Sequence, residues 1–268
     1  MSIKAMHNRR APAHDVRTLR LFCLPHAAGT TRIFRGWHWD LPRFVEVCPL
    51  ELPGHGRRGG EEPLDDLESI MADLLPTVLR RTGKPFAILG YDYGALLAFE
   101  LAHRLEHHHR LPPRHLFAAA LRAPVWPRPS EPVSEISDDR FRELLSRPSG
   151  RGNDVLEADS SLMEYAIRVV RADFRVVDNY RYEYKATLSC PITAFRGRDD
   201  PGVSRESLRA WSVCTKGAFN WHQVPGGHYF MYPARELFLR RLSMELRGYA
   251  ERPAMTVPRQ RVASRAPR

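Results

Sequence analysis

The sequence has few cysteines and no long apolar run. Its four cysteines form no Cys-x-x-Cys pair, which disfavours a zinc or redox centre and indicates reduced, mostly buried thiols: Cys23, Cys48, Cys190 and Cys214. No apolar run approaches the roughly 20 residues that span a bilayer, and the polar N-terminal segment lacks the apolar core of a secretory signal. These absences predict a cytoplasmic protein that uses neither a membrane nor a metal.

A basic folded face is also lacking, although the formal net charge is +10. Residues 252–268 contain five arginines and no acid, hence +5, and residues 1–16 contribute +2. We therefore predict disordered basic tails at 1–16 and 252–268 around one folded domain at 17–251. Nucleic acid is not an expected partner, because no basic nucleic-acid-binding motif accompanies the charge.

The chain of 268 residues does contain an alternating pattern of strands and helices. Such alternation predicts an α/β fold with a mostly parallel central sheet and helices on both faces. Strands are predicted at 18–24, 45–50, 86–89, 115–121, 191–195 and 218–224, and helices at 65–82, 95–109, 138–146, 160–184, 205–212 and 234–249. Polar helical patterns at about 130–185 predict a helical lid insertion, since such insertions cover sites at the carboxyl edge of a sheet.

A sharp turn is predicted between the third strand and its helix, where the chain reads Gly-Tyr-Asp-Tyr-Gly around Asp92. Gly90 and Gly94 allow the strand and the helix to approach closely at strained backbone angles. This Gly-x-Asp-x-Gly pattern is the form of a nucleophile elbow, in which the central side chain stands clear of the sheet.

Two further reactive side chains follow later strands. Asp200 lies after the predicted strand at 191–195, and His228 follows a Gly-Gly turn after the last strand. The order nucleophile, acid, histidine is that of the α/β-hydrolase fold. A turn of small residues at 25–29 follows the first strand, and its backbone N–H groups are expected to reach the same site.

The sequence resembles the type II thioesterases, the stand-alone enzymes of polyketide and nonribosomal peptide biosynthesis. The matching segments are LFCLPHAAG (21–29), LELPGHGRR (50–58), PFAILGYDYGALLAFELAHRL (85–105), RADFRVVDNYRY (171–182), CPITAFRGRDDP (190–201) and PGGHYFM (225–231). They span about residues 19–247. Members of that family remove acyl groups from the phosphopantetheine arm of carrier proteins and need no cofactor.

The resemblance assigns a role to most of these positions. It implies His228 as catalytic base, Asp200 as the residue that orients it, and the N–H groups of Ala27 and Tyr93 as the oxyanion hole. Neighbouring side chains are expected to contact substrate: His26, Ala28, Tyr91 and Tyr229. The lid residue Arg171 is expected either to meet an acidic carrier protein or to pair internally with an acid such as Asp173.

The central position departs from the family, which has Gly-His-Ser-Met-Gly at the elbow. With Asp92 in place of the serine, no acyl-serine can form. A carboxylate needs no base for activation, and one hypothesis is that it attacks the thioester to give a mixed anhydride, which water activated by His228 then hydrolyses. A thioesterase-like enzyme with an Asp92–His228–Asp200 triad is the favoured interpretation, acting on a carrier-bound acyl group or a small polyketide intermediate.

Three alternatives remain open. In the first, Asp92 is a nucleophile toward saturated carbon, as in epoxide hydrolases. Hydroxyl groups of lid tyrosines would then assist the leaving group: Tyr165, Tyr180, Tyr182 and Tyr184. Alternatively it acts as a general base in a non-hydrolytic cyclase, lyase or isomerase. The last alternative is a non-catalytic protein that binds carrier-bound acyl chains.

Overall fold

The computed structural model describes residues 18–127, 132–146, 160–183 and 185–250. It contains a six-stranded, wholly parallel sheet in the order β2-β1-β3-β4-β5-β6. The strands are β1 (Leu19–Leu24), β2 (Val45–Pro49), β3 (Phe86–Tyr91), β4 (Leu116–Ala119), β5 (Ile192–Gly197) and β6 (Phe219–Val224). The predicted α/β-hydrolase architecture is confirmed.

Helices cover both faces of this sheet. Their bounds are α1 (Trp37–Asp40), α2 (Leu67–Leu79), α3 (Tyr93–His107), α4 (Asp138–Ser146), α5 (Ser160–Asn179), α6 (Arg205–Arg209) and α7 (Arg235–Ala250). No helix in these ranges is long and apolar enough to cross a bilayer. The predicted basic tails lie outside the described residues, as do residues 147–159 between α4 and α5.

The sheet separates two apolar clusters because alternate side chains of each strand point to opposite faces. On one face, Phe22 and Leu24 of β1 join residues of α2, α3 and the lid. On the other, Leu21 and Cys23 join residues of α1 and α7. The central strand β3 is buried along its whole length, which fixes the start of α3 in the middle of the molecule.

Several predicted boundaries differ from the structure. Helix α3 begins at Tyr93 rather than at residue 95, because Asp92 itself holds the N-cap position and helical geometry follows immediately. Helix α5 ends at Asn179 rather than at 184, and the predicted helix at 205–212 is a short α-helix continued by a 3-10 turn at Ala210–Cys214. All four cysteines are free and buried, as predicted.

The lid consists of α4 and α5, and α5 contacts the body of the domain at several points. Tyr165 donates a hydrogen bond to the Gly54 carbonyl in the loop after β2. Tyr180, the residue after α5, donates to Glu100 on α3 at 2.7 Å. These contacts hold α5 against the loop after β2 and against α3.

Candidate active site

The elbow holds Asp92 in a strained conformation, with φ at 52° and ψ at −122°. Its N–H donates to the Ala119 carbonyl at 2.7 Å, which ties the turn to β4. Both flanking glycines are sterically required. A Cβ on Gly90 would lie 2.0 Å from the Gly94 carbonyl oxygen, and one on Gly94 would lie 2.3 Å from the Pro25 carbonyl oxygen. The close crossing of β3, α3 and the first turn therefore presents residue 92 at the sheet edge.

His228 lies between two carboxylates. Its Nδ1 is 2.9 Å from Asp200 Oδ2, and its Nε2 is 3.4 Å from Asp92 Oδ1. Asp200 is buried and also accepts from the Gly202 N–H at 2.8 Å. The three side chains predicted from separate loops are thus brought together in one row.

The protonation state of His228 follows from this row. Each ring nitrogen faces a carboxylate oxygen, and only an imidazolium can donate to both. Burial lowers the pKa of His228, but the hydrogen bonds and charges of Asp200 and Asp92 outweigh it and raise that pKa to about 10. At neutral pH His228 is therefore an imidazolium between Asp200 and Asp92. A serine at position 92 would leave the ring with one carboxylate partner.

The two expected oxyanion-hole donors point at Asp92 itself. The Ala27 N–H lies 3.4 Å from Asp92 Oδ2, and the Tyr93 N–H is near enough to this carboxylate to lower its pKa. Burial raises the pKa of Asp92, whereas the contact with His228 and the Tyr93 N–H lower it, with a net result below the ordinary value of 3.8. Asp92 is therefore an ionised carboxylate held by long contacts that a reacting group can replace.

An aromatic group borders this row. His26 Nδ1 lies 2.8 Å from the Ala27 carbonyl, and Tyr232 Oη lies 2.8 Å from His26 Nε2. Burial lowers the pKa of His26, in keeping with a neutral ring that donates from Nδ1 and accepts from the Tyr232 hydroxyl. Tyr229 packs edge-on against both His26 and His228 and is 38% exposed. His26 and Tyr229 thus lie beside the row, and their contact with substrate stays a prediction.

Tyr91 lies elsewhere than expected. It is fully buried on the face of the sheet opposite the lid and packs against Phe230 and Phe238. Its hydroxyl donates to the His228 carbonyl at 2.6 Å. Alternation along β3 explains this placement, since Tyr91 shares a face with Ala87 and Leu89, opposite to Phe86 and Ile88. Tyr91 therefore holds the loop that carries His228 and is too deeply buried to contact substrate.

The lid supplies a residue whose role the sequence did not indicate. Asp173 on α5 is fully buried, and its Oδ2 accepts from the Ala28 N–H at 2.7 Å and from His55 Nε2 at 3.0 Å. Both Asp173 and His55 lie in segments that carry the resemblance, but nothing local signals that they meet. Ala28 thus meets the lid through its N–H.

Arg171 pairs internally with an acid, as one of its two expected roles requires, but the acid is not the one named from the sequence. Its partners are Asp138 and the Ser134 carbonyl, at the start of the lid. The expected pairing with Asp173 is wrong, because α5 turns Asp173 inward to His55. The hydroxyls of Tyr165 and Tyr180 are likewise engaged, with Gly54 and Glu100. Tyr184 lies outside the described residues.

Metal coordination finds no support in the described part of the chain, where no three His, Cys, Asp or Glu side chains converge suitably. The histidine run at 107–109 lies exposed at the end of α3.

Comparison with known proteins identifies the family. The thioesterase domain model matches residues 19–246. The gramicidin S biosynthesis protein GrsT of Aneurinibacillus migulanus is 35% identical over 237 residues, covering 88% of this chain and 92% of GrsT. Among solved structures, the RedJ thioesterase of the prodiginine pathway in Streptomyces coelicolor is 35% identical, with a TM-score of 0.77 and 85% of each chain covered. The type II thioesterase BorB of the borrelidin cluster is 33% identical, with a TM-score of 0.78, covering 88% of this chain and 95% of BorB. The chain belongs to the thioesterase domain family and is a hydrolase of acyl thioesters.

Proposed function

We propose that this protein hydrolyses acyl groups from carrier proteins of nonribosomal peptide or polyketide biosynthesis, in the cytoplasm, with Asp92 as the nucleophile. The likeness to GrsT, RedJ and BorB supports the biosynthetic setting and a substrate on a phosphopantetheine arm. One observation carries the mechanism. An ionised carboxylate stands on the nucleophile elbow, between His228 and two backbone N–H groups.

The first step is attack of an Asp92 oxygen on the thioester carbonyl. A carbon–oxygen bond forms, the carbon–sulfur bond breaks, and the product is a mixed anhydride on Asp92. The Ala27 and Tyr93 N–H groups, released from the carboxylate, donate to the oxyanion that develops on the acyl carbonyl.

The leaving thiolate is the weak point of such a step, because it can attack the anhydride and reverse it. The imidazolium of His228 addresses this by protonating the sulfur. Acylation removes the charge of Asp92, and with it one of the two carboxylates that raise the pKa of His228. The proton therefore moves more readily to a thiolate, whose conjugate acid has a pKa of roughly 8.5.

The second step is hydrolysis of the anhydride. His228 is now neutral, held by Asp200 at 2.9 Å, and can accept a proton from water. The water oxygen attacks the acyl carbonyl, the carboxylic acid leaves, and Asp92 returns as carboxylate beside a protonated His228. The roles of acid and base thus alternate on one ring, and water is the only reagent consumed besides the thioester.

The structure supports this route over the other uses of Asp92. A carboxylate with a lowered pKa is a weak base, which disfavours proton abstraction from carbon. Attack on saturated carbon would need lid donors, yet Tyr165 and Tyr180 donate to other groups.

The test is hydrolysis of an acyl-phosphopantetheinyl carrier protein by three forms of the enzyme. We expect wild-type turnover, loss to the uncatalysed rate for Asp92→Ala, and turnover through an acyl-serine for Asp92→Ser. We also expect Asp92→Ala to bind the acyl-carrier protein without hydrolysing it. That result would show that Asp92 serves catalysis and not only binding. Full activity of Asp92→Ala would refute the proposal.

A further inference from the structure

The buried carboxylate of Asp173 joins three parts of the molecule. It lies on lid helix α5, accepts from the Ala28 N–H at 2.7 Å, and accepts from His55 Nε2 at 3.0 Å. Tyr93, whose own N–H faces Asp92, also places its ring hydroxyl beside Asp173, which together with burial raises the pKa of Tyr93. One lid side chain therefore contacts the first turn, the loop after β2 and the start of α3.

The charge of this group is balanced by His55. Its Nδ1 lies 2.9 Å from the Pro53 carbonyl and its Nε2 faces Asp173, so both nitrogens face acceptors. An imidazolium can donate to both. Burial lowers the pKa of His55, but the hydrogen bond and charge of Asp173 raise it above its usual value. The two side chains form a buried pair, and the Asp173 oxygen that faces His55 also accepts from Ala28.

The turn that Asp173 contacts is strained. Ala28 has φ at 55°, in the left-handed region that alanine rarely adopts. Such a conformation persists only where surrounding contacts enforce it. A hydrogen bond from the Gly29 N–H to the His26 carbonyl at 2.8 Å closes the turn, and the Ala28 N–H is held by Asp173. The neighbouring Ala27 N–H is the one that faces Asp92.

From these contacts we propose that Asp173 is a positioning residue for the oxyanion hole. Its bond to Ala28 holds the first turn in the strained shape that aims the Ala27 N–H, so the hole is complete only while α5 is docked. The effect on catalysis rests on the proposed function. The effect of Asp173 on the shape of the turn does not depend on it. Docking of the lid over a substrate thereby completes the group that stabilises the transition state.

The test compares Asp173→Ala with a lid variant that leaves the turn alone. Tyr165→Phe is the matched control, because it removes another bond between α5 and the body, to the Gly54 carbonyl. Asp173→Asn is the conservative variant. Its amide oxygen can still accept from Ala28, and it serves if Asp173→Ala fails to fold. Two quantities are measured: hydrogen exchange at the Ala27 and Ala28 amides, and kcat and KM on an acyl-carrier thioester.

We expect Asp173→Ala to speed exchange at Ala28 at least tenfold and to lower kcat by about 10²-fold, the effect of losing one oxyanion donor, with KM nearly unchanged. Tyr165→Phe should leave both quantities within about twofold, and Asp173→Asn should retain most of the wild-type kcat. Equal losses in Asp173→Ala and Tyr165→Phe would show lid anchoring alone and overturn the proposal. Unchanged exchange at Ala28 would overturn it whatever the activity. Full activity of Asp92→Ala is a separate result, which removes the proposed function without altering the exchange measurement.

Discussion

The pH dependence of catalysis should have opposite forms in the wild type and in Asp92→Ser. In the proposed mechanism the reactive free enzyme carries an ionised Asp92 and a protonated His228. Its kcat/KM should therefore be flat from about pH 5 to pH 9. Activity should fall on the acid side only below pH 4, as Asp92 takes up a proton, and on the alkaline side as His228 loses its proton near pH 10.

The serine variant reverses the requirement on His228, which must now be neutral to activate the hydroxyl. Replacing Asp92 removes a charge that raises the pKa of this histidine, so the pKa falls toward its ordinary value of about 6.5. For Asp92→Ser, kcat/KM should rise about tenfold per pH unit below that pKa and level off above it. The variant should thus be favoured at alkaline pH, where the wild type begins to fail.

The raised pKa of His228 makes it easy to tell whether the reactive wild-type enzyme carries a protonated or a neutral ring. With a pKa of about 10, only ~10⁻³ of wild-type molecules carry a neutral His228 at pH 7. If the wild type needed that neutral ring in its resting state, kcat/KM would climb by ~10³ between pH 6 and pH 9. The assay is release of pantetheine thiol from an acyl-pantetheine across pH 4.5 to 10.5, corrected for spontaneous hydrolysis. A wild-type profile that climbs in this way would refute the claim that the reactive enzyme carries a protonated His228.

Three further predictions concern the scaffold. Gly94→Ala should destabilise the protein by ~3 kcal/mol or more in urea unfolding, because its Cβ would meet backbone 2.3 Å away, whereas Gly83→Ala, in open space, should change stability by less than ~1 kcal/mol. Tyr91→Phe should cost about 1–2 kcal/mol and lower kcat several-fold, since it removes the 2.6 Å bond to the His228 carbonyl; an unchanged kcat would show that this bond does not position the loop. The urea midpoint should be highest between about pH 5 and pH 6.5. His228, whose pKa is raised from 6.5 to about 10, stabilises fully below pH 6.5 and loses that contribution as pH rises from there to about 10, and Asp92, with a lowered pKa, loses its own as pH falls below 3.8; a maximum outside this window would contradict both assignments.

The sequence was sufficient where structure depends on local pattern. Gly90 and Gly94 predict the elbow because no other residue fits the crossing of strand and helix. The parallel strands and the order of Asp92, Asp200 and His228 follow from alternation and turn chemistry, and a parallel sheet places the three loops at one edge.

The contacts of the lid could not be predicted in this way. Asp173 lies 145 residues from Ala28 and 118 from His55, and no periodicity or turn signal links positions so distant. Arg171 illustrates the same limit, since its nearest acid in sequence is not its partner in space. The inward orientation of Tyr91 was, in contrast, available from strand alternation once the end of β3 was placed at that residue.

Trapping the intermediate on Asp92 tests most directly whether this carboxylate is the nucleophile. Wild-type enzyme is mixed with a stoichiometric acyl-pantetheine, quenched in acid within milliseconds, and treated with hydroxylamine before peptide mass spectrometry. Hydroxylamine attack on the Asp92 carbonyl of a mixed anhydride leaves a hydroxamate there. We expect such a mark on the peptide that contains Asp92, at a yield that rises and decays with the time of quenching. Rapid formation of free acid with no modification of Asp92 at any time would contradict the claim that this carboxylate is the nucleophile.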